Sequence, residues 1–130
     1  MEMCPCTFSG RESEGGRTML YIGVDLGTSA VKLLLMDGEG KVLNIVSREY
    51  PLSFPKPGWS EQKPEDWYRE SMDGIKELIK DFDKSEVAGI SFGGQMHGLV
   101  VLDAQDNVIR PAILWNDGRT TKETDYLNQV

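Results

Sequence analysis

Cysteine and histidine are nearly absent from this 130-residue chain, which has two of the former, Cys4 and Cys6, and one of the latter, His97. Two thiols and one distant imidazole fall short of the four ligands, or three plus water, that a zinc site takes. Two cysteines so close together do not staple a fold either, because a disulfide framework spreads its cysteines along the chain. A reduced, cytoplasmic setting is therefore expected. Long apolar runs are missing as well. None nears the about 20 residues that span a bilayer, and residues 1–18 lack the apolar centre of a signal peptide. Positive charge is short: 14 Lys plus Arg stand against 21 Asp plus Glu, for a formal net charge of −7. Binding to bare nucleic acid or to an anionic membrane needs clustered cations, so this balance argues against both as partners.

What the sequence does hold begins after residue 18. The stretch MEMCPCTFSGRESEGGRT has no apolar period and is expected as a disordered leader, with the folded part at 19–130. From Leu20 to Leu26 apolar residues alternate, which predicts a strand with Leu20, Ile22, Val24 and Leu26 on one face and Asp25 on the other. Val31 to Met36 predicts a second strand and Lys41 to Tyr50 a third, with Asp37-Gly38-Glu39-Gly40 as the hairpin between them. Strands joined by such short turns are antiparallel neighbours. Residues 51–63, rich in proline, read as a loop. Pro64 suits the first position of a helix, and the spacing of Trp67, Ser71, Met72, Ile75, Leu78, Ile79 and Phe82 predicts that helix over 64–82. Val87 to Phe92 predicts a fourth strand, Leu99 to Leu102 another, Val108 to Arg110 a short return, and Thr120 to Val130 the start of a helix. The order β-β-β-α-β gives an α/β class in which a mixed sheet lies beside a helix.

Three constellations carry chemistry. The first is Asp25-Leu26-Gly27-Thr28-Ser29 with Lys32. Glycine lets a backbone come close to a phosphate, Thr28 and Ser29 offer N–H and O–H donors, and Lys32 lies across the hairpin. A carboxylate beside such donors makes sense where Mg²⁺ bridges the two. The plainer reading is an ordinary turn. The second, Gly94-Gln95-Met96-His97-Gly98, holds polar groups in a glycine-flanked strand end, suited to a small polyol or else only a bulge. The third, Trp115-Asn116-Asp117-Gly118-Arg119, is either a wall of a sugar site or a helix start with Asn116 or Asp117 as N-cap.

Taken in order, I-G-V-D-L-G-T-S, P-G-W-S-E-Q, P-E-D-W, G-Q-M-H-G and I-L-W-N-D-G-R closely resemble the N-terminal region of the FGGY carbohydrate kinase family. Within that family, the last two resemble the pentulose kinases that act on D-xylulose. The resemblance covers about residues 19 to 130. It implies a ribonuclease-H-like (actin-like ATPase) fold, represented here by an incomplete N-terminal half-domain. It also implies transfer of the γ-phosphoryl of ATP, with Mg²⁺, to the 5-hydroxyl of D-xylulose. Under it Asp25 is the catalytic carboxylate on the metal side, and Gly27, Thr28, Ser29 and Lys32 bind phosphate. Gln95, Met96, His97, Asn116 and Asp117 then face the sugar. The general-base aspartate and the adenine-binding domain fall later in the family's chains, so this chain alone is expected to be inactive. A homodimer is expected of the full-length protein. The rival readings are a kinase for another pentulose or a sugar acid, and a non-catalytic sugar-binding relative.

Overall fold

The computed structural model describes residues 19–130; the expectations for residues 1–18, with Cys4 and Cys6, lie outside the described residues. Three strands form an antiparallel meander: β1 (Leu20–Leu26), β2 (Ala30–Asp37) and β3 (Val42–Glu49). The Asp37 side chain accepts from the N–H groups of Glu39 and Lys41, and Gly40 takes a φ of 82°, so the expected turn chemistry sets the β2–β3 hairpin. Two residues, β4 (Glu61–Gln62), precede the helix α1 (Pro64–Leu78). A 3₁₀ turn at Lys84–Glu86 leads to β5 (Val87–Gly94), which returns parallel to β1 and gives the sheet order β3-β2-β1-β5. β6 (Ala112–Ile113) pairs with β4 in a separate small sheet, and α2 (Thr121–Leu127) follows.

Alternation does what the sequence implies. Leu20, Ile22 and Val24 of β1 and Val31, Leu33 and Leu35 of β2 are buried under α1, joined by Val46, Tyr50 and Leu78. Asp25 is exposed on the opposite face. The helix is anchored at its end by Asn44, whose Nδ2 donates to the Leu78 carbonyl at 2.9 Å. Arg48 of β3 reaches Glu70 and Glu77 on α1 at 2.8 and 3.0 Å. Gly74 is where helix meets sheet most closely: a Cβ there would stand 2.5 Å from Leu33 Cδ1 and 3.1 Å from Arg48 Cδ. The glycine lowers helix propensity by about 1 kcal/mol but admits this contact.

Some expected elements come out differently. α1 ends at Leu78, not at 82; Ile79 and Phe82 still pack on the core, but from consecutive turns. Leu99–Leu102 and Val108–Arg110 are not strands. They contribute only the single bridges Leu99↔Ile113 and Leu102↔Val108, and Leu99, Leu102 and Ile109 are 54%, 48% and 60% exposed. With about half or more of these side chains left open by the described residues, burial does not reward a longer ladder. The loop 51–63 conceals β4, which also bridges Ser53 through Glu61. Thr120, not Asn116 or Asp117, occupies the N-cap of α2. No described helix is long and apolar enough to cross a membrane.

Candidate functional site

The carboxyl ends of the parallel strands β1 and β5 lie side by side, with Asp25 in register with Gly93 and Leu26 with Gly94. Crevices outside such strand ends are where open α/β sheets hold ligands. Lys32 stands opposite Asp25 on β2, on the same exposed face. Among the described residues no ion pair or hydrogen bond engages the Asp25 carboxylate, so its charge is left to the open side of the sheet. Asp25 nonetheless acts on Tyr50. Burial first, and the Asp25 charge second, push the Tyr50 phenol up to about 12.

The β1–β2 turn has a definite polarity. Its three carbonyls are all drawn back into the protein: Tyr50 Oη donates to Gly27 O, Gln62 Nε2 to Thr28 O at 2.7 Å, and Tyr50 N to Ser29 O at 3.2 Å. The backbone N–H groups of Thr28 and Ser29 have no partner among the described residues. A turn with tethered carbonyls and unengaged N–H groups presents positive ends outward, the arrangement of an anion-binding nest. The Thr28 hydroxyl accepts from Trp115 Nε1 at 3.2 Å, which draws the third motif against the first.

The loop after β5 is brought to the same end. Gln95 N donates to Leu26 O at 2.8 Å, and a Cβ on Gly94 would sit 2.7 Å from that same oxygen, so only glycine lets β5 close on β1 here. Gln95 Nε2 donates to Gln62 Oε1 at 3.2 Å, while its own Oε1 is buried with no partner among the described residues. Met96 is 71% exposed. His97 is also exposed and takes a φ of 62°. That left-handed conformation is uncommon outside glycine, though histidine is among the residues enriched there.

The third motif divides into two. Asn116 is exposed and borders a shallow cleft of about 440 Å³ with Phe54, Lys56 and Trp59. Asp117 instead faces inward, with 2% of its side chain exposed. It accepts from Ser60 N at 2.6 Å, from Arg119 N at 2.9 Å, and from Arg119 Nε and Nη2 at 2.8 and 2.7 Å. The Arg119 bonds, against a smaller opposing effect of burial, hold the Asp117 carboxyl far below the usual carboxylate range. Arg119 also reaches Glu61 Oε1 at 2.8 Å and stacks over the Trp59 ring at 3.8 Å. The geometry thus draws Asp25, Gly27, Thr28, Ser29, Lys32 and Gln95 to one end of the sheet, and turns Asp117 into a brace for the loop that carries Asn116.

Gln62, Tyr50 and Trp115 hold these segments together; Trp115 opened the third constellation and Gln62 closed the P-G-W-S-E-Q motif, but the sequence assigned no role to any of the three. The signal for Gln62 was a polar pair, Glu61-Gln62, in a proline-bounded loop just before a helix. Among the described residues no three histidine, cysteine or carboxylate groups cluster as a metal site. A lone carboxylate beside an anion nest still fits Mg²⁺, which commonly takes one or two protein carboxylates and completes its shell from substrate phosphates and water.

Comparison with known proteins bears on the fold and the family. The chain is 51% identical over 104 residues to the xylulose kinase of Bacillus subtilis (strain 168), which covers 78% of this chain and 21% of that protein. The solved structure of a xyloylose kinase from Brucella ovis superposes with a TM-score of 0.80 at 44% identity, covering 85% of this chain and 24% of that one. A gluconate kinase from Lactobacillus acidophilus superposes with a TM-score of 0.81 at 33% identity, covering 86% and 23%. The chain therefore spans under a quarter of the length of these relatives. Residues 20–130 match the N-terminal domain of the FGGY family of carbohydrate kinases, and the chain belongs to that family.

Proposed function

We propose that residues 19–130 form the phosphate- and sugar-facing part of a kinase site that moves the γ-phosphoryl group of ATP to the 5-hydroxyl of D-xylulose. The observation that carries this reading is the polarity of the β1–β2 turn. The three tethered carbonyls, the two unengaged N–H groups and the adjacent unpaired Asp25 suit a nucleotide phosphate better than a neutral ligand. Xylulose is favoured over gluconate by the curated relatives rather than by the solved structures: TM-scores of 0.80 and 0.81 do not separate the two, and a solved xylulose kinase and the gluconate kinase both stand at 33% identity, whereas curated xylulose kinases match at 44% to 51%.

Under this reading Gly27, Thr28, Ser29 and Lys32 hold the phosphates. Asp25 would hold Mg²⁺, and that cation, when bound, would neutralise phosphate charge. Gln95, Met96, His97 and Asn116 face the ketose. Asp117 serves the sugar indirectly, by fixing the Asn116 loop. The 5-oxygen forms its bond to the γ-phosphorus as the bridge to ADP breaks, and the hydroxyl proton passes to an aspartate supplied from outside residues 19–130. The reading carries a cytoplasmic location, in keeping with the scarcity of cysteine.

The test is Asp25→Asn in the full-length kinase. Loss of the metal-side carboxylate should lower kcat by about 10²-fold or more while the KM for xylulose stays within about threefold, because the interaction matters most in the transition state. An unchanged kcat removes Asp25 from the chemistry. A wild-type enzyme that phosphorylates gluconate and not xylulose shifts the substrate to the sugar acids.

A further inference from the structure

We infer that Gln62 is a positioning residue that sets the phosphate-binding turn and the sugar loop relative to one another. The inference rests on the reading just proposed for those two segments. Gln62 is 3% exposed, and its amide is saturated. Nε2 donates to Thr28 O at 2.7 Å and to Pro51 O at 3.4 Å, while Oε1 accepts from Trp67 Nε1 at 3.0 Å and from Gln95 Nε2 at 3.2 Å. A side-chain amide offers two donors and two acceptor positions, and all four are used. Among the described residues, no other side chain is bonded both to the β1–β2 turn and to the loop after β5.

The consequence follows from which end of the amide does what. The nitrogen serves only the phosphate side, through Thr28 and Pro51. The oxygen serves only the sugar loop, through Gln95, and the helix, through Trp67. Substrates that must react in line are sensitive to small misplacements of the groups that hold them. A saturated amide between the two segments fixes their spacing without touching either substrate. It also explains why a buried glutamine stands at a position that an apolar residue of equal volume would fill: an apolar side chain would leave Thr28 O and Gln95 Nε2 without partners, and a buried unpaired group is costly.

Two substitutions separate the ends. Gln62→Glu keeps an oxygen toward Trp67 and Gln95 but sets a second oxygen against the Thr28 and Pro51 carbonyls. Gln62→Met keeps the volume and removes both ends. In the full-length kinase, calorimetric titration with a non-hydrolysable ATP analogue and, separately, with D-xylulose gives the readout. Gln62→Glu should weaken the nucleotide about tenfold and leave xylulose within about twofold, and Gln62→Met should weaken both about tenfold, the scale of one lost hydrogen bond. Equal losses of both ligands in the two variants, or no loss in either, would make Gln62 a support of the fold alone. Trp67→Phe removes only the helix arm and should leave both affinities unchanged.

Amide hydrogen exchange decides the same point without any ligand. Gln62→Glu should speed exchange about tenfold or more at Gly27 and Tyr50, whose N–H groups bond within or onto the turn, and spare Gln95, whose N–H bonds to Leu26 O. Gln62→Met should speed all three. Exchange that rises equally at the three sites in both variants overturns the inference. A wild-type kinase that binds no xylulose overturns the functional reading and leaves this measurement to stand by itself.

Discussion

Gly93 and Gly94 are neighbours in one strand, and the structure assigns them opposite tolerances. A Cβ on Gly94 would meet Leu26 O at 2.7 Å and Leu26 Cβ at 2.9 Å; one on Gly93 would meet nothing within 4 Å. Neither glycine has a positive φ, so alanine is conformationally acceptable at both. At Gly94 the obstacle is backbone, which cannot rotate aside. The clash falls in the upper part of the usual overpacking cost of about 1–3 kcal/mol, offset by about 0.5–1 kcal/mol from alanine's smaller loss of chain entropy. A net loss of about 2 kcal/mol is expected. For a urea slope of about 1.5 kcal/mol per M this lowers the unfolding midpoint by roughly 1.3 M. Gly93→Ala has only the entropic gain, about 0.4–1 kcal/mol, and should raise the midpoint slightly. Its methyl, however, would stand beside Asp25 on the open face of the sheet. In the full-length kinase it should therefore raise the KM for ATP while the protein becomes no less stable. Urea unfolding followed by tryptophan fluorescence, run on both variants, is the assay. Equal midpoints would mean that β5 does not close on β1 at Leu26, and the placement of the sugar loop would fall with it.

Three further outcomes are expected. Asp117→Asn should destabilise the fold, since it puts an amide nitrogen against the donors of Ser60 or Arg119, whereas Asn116→Ala should leave thermal stability alone and weaken xylulose binding; the reverse pattern would return Asp117 to the sugar wall. Tyr50 has a folded-state pKa raised to about 12 from 10.0, so its contribution is full below about pH 10 and is lost as pH rises from 10 toward 12. Tyr50→Phe should flatten the decline of the melting temperature in that window; an unchanged profile would assign the decline to other groups. His97→Gly should stabilise the chain by about 1 kcal/mol by relieving a left-handed non-glycine backbone, yet weaken xylulose binding in the full-length kinase; a variant less stable than wild type would show that the imidazole supports the loop.

The meander and its helix were legible because two periods, two residues in the strands and 3.6 in α1, each found a partner to bury against. Leu99–Leu102 carried the same apolar signal without such a partner, and only single bridges formed. β4 is two residues long, below what any period can reveal. At the site, the motif residues stood out by type: a carboxylate at a strand end, glycines around a histidine, an Asn-Asp pair after a tryptophan. Their fastenings did not. The bond from Gln62 to Thr28 spans 34 positions and that from Trp115 to Thr28 spans 87, and nothing local in either residue announces such a partner. Asp117 was ambiguous for a related reason. Its position before a helix fitted a cap or a sugar ligand, and its buried bonds to Arg119 and Ser60 give it a third role that the sequence did not suggest.

The parallel pairing of β1 with β5 also has a kinetic side. β2, β3 and α1 all lie between the two strands in sequence, so their register can form only after a long loop closes, whereas each hairpin of the meander closes locally. The meander with α1 should accordingly make up the folding nucleus, with β5 docking afterwards. Truncations at Leu33 or Leu78 should then give high φ-values and truncation at Ile90 a low one; a high value at Ile90 would reverse the order. On this path Gln95 and His97 find their places only once β5 has docked. A chain caught before β5 docks would carry a finished phosphate turn and an open edge on β1, competent to pair with a strand of another molecule.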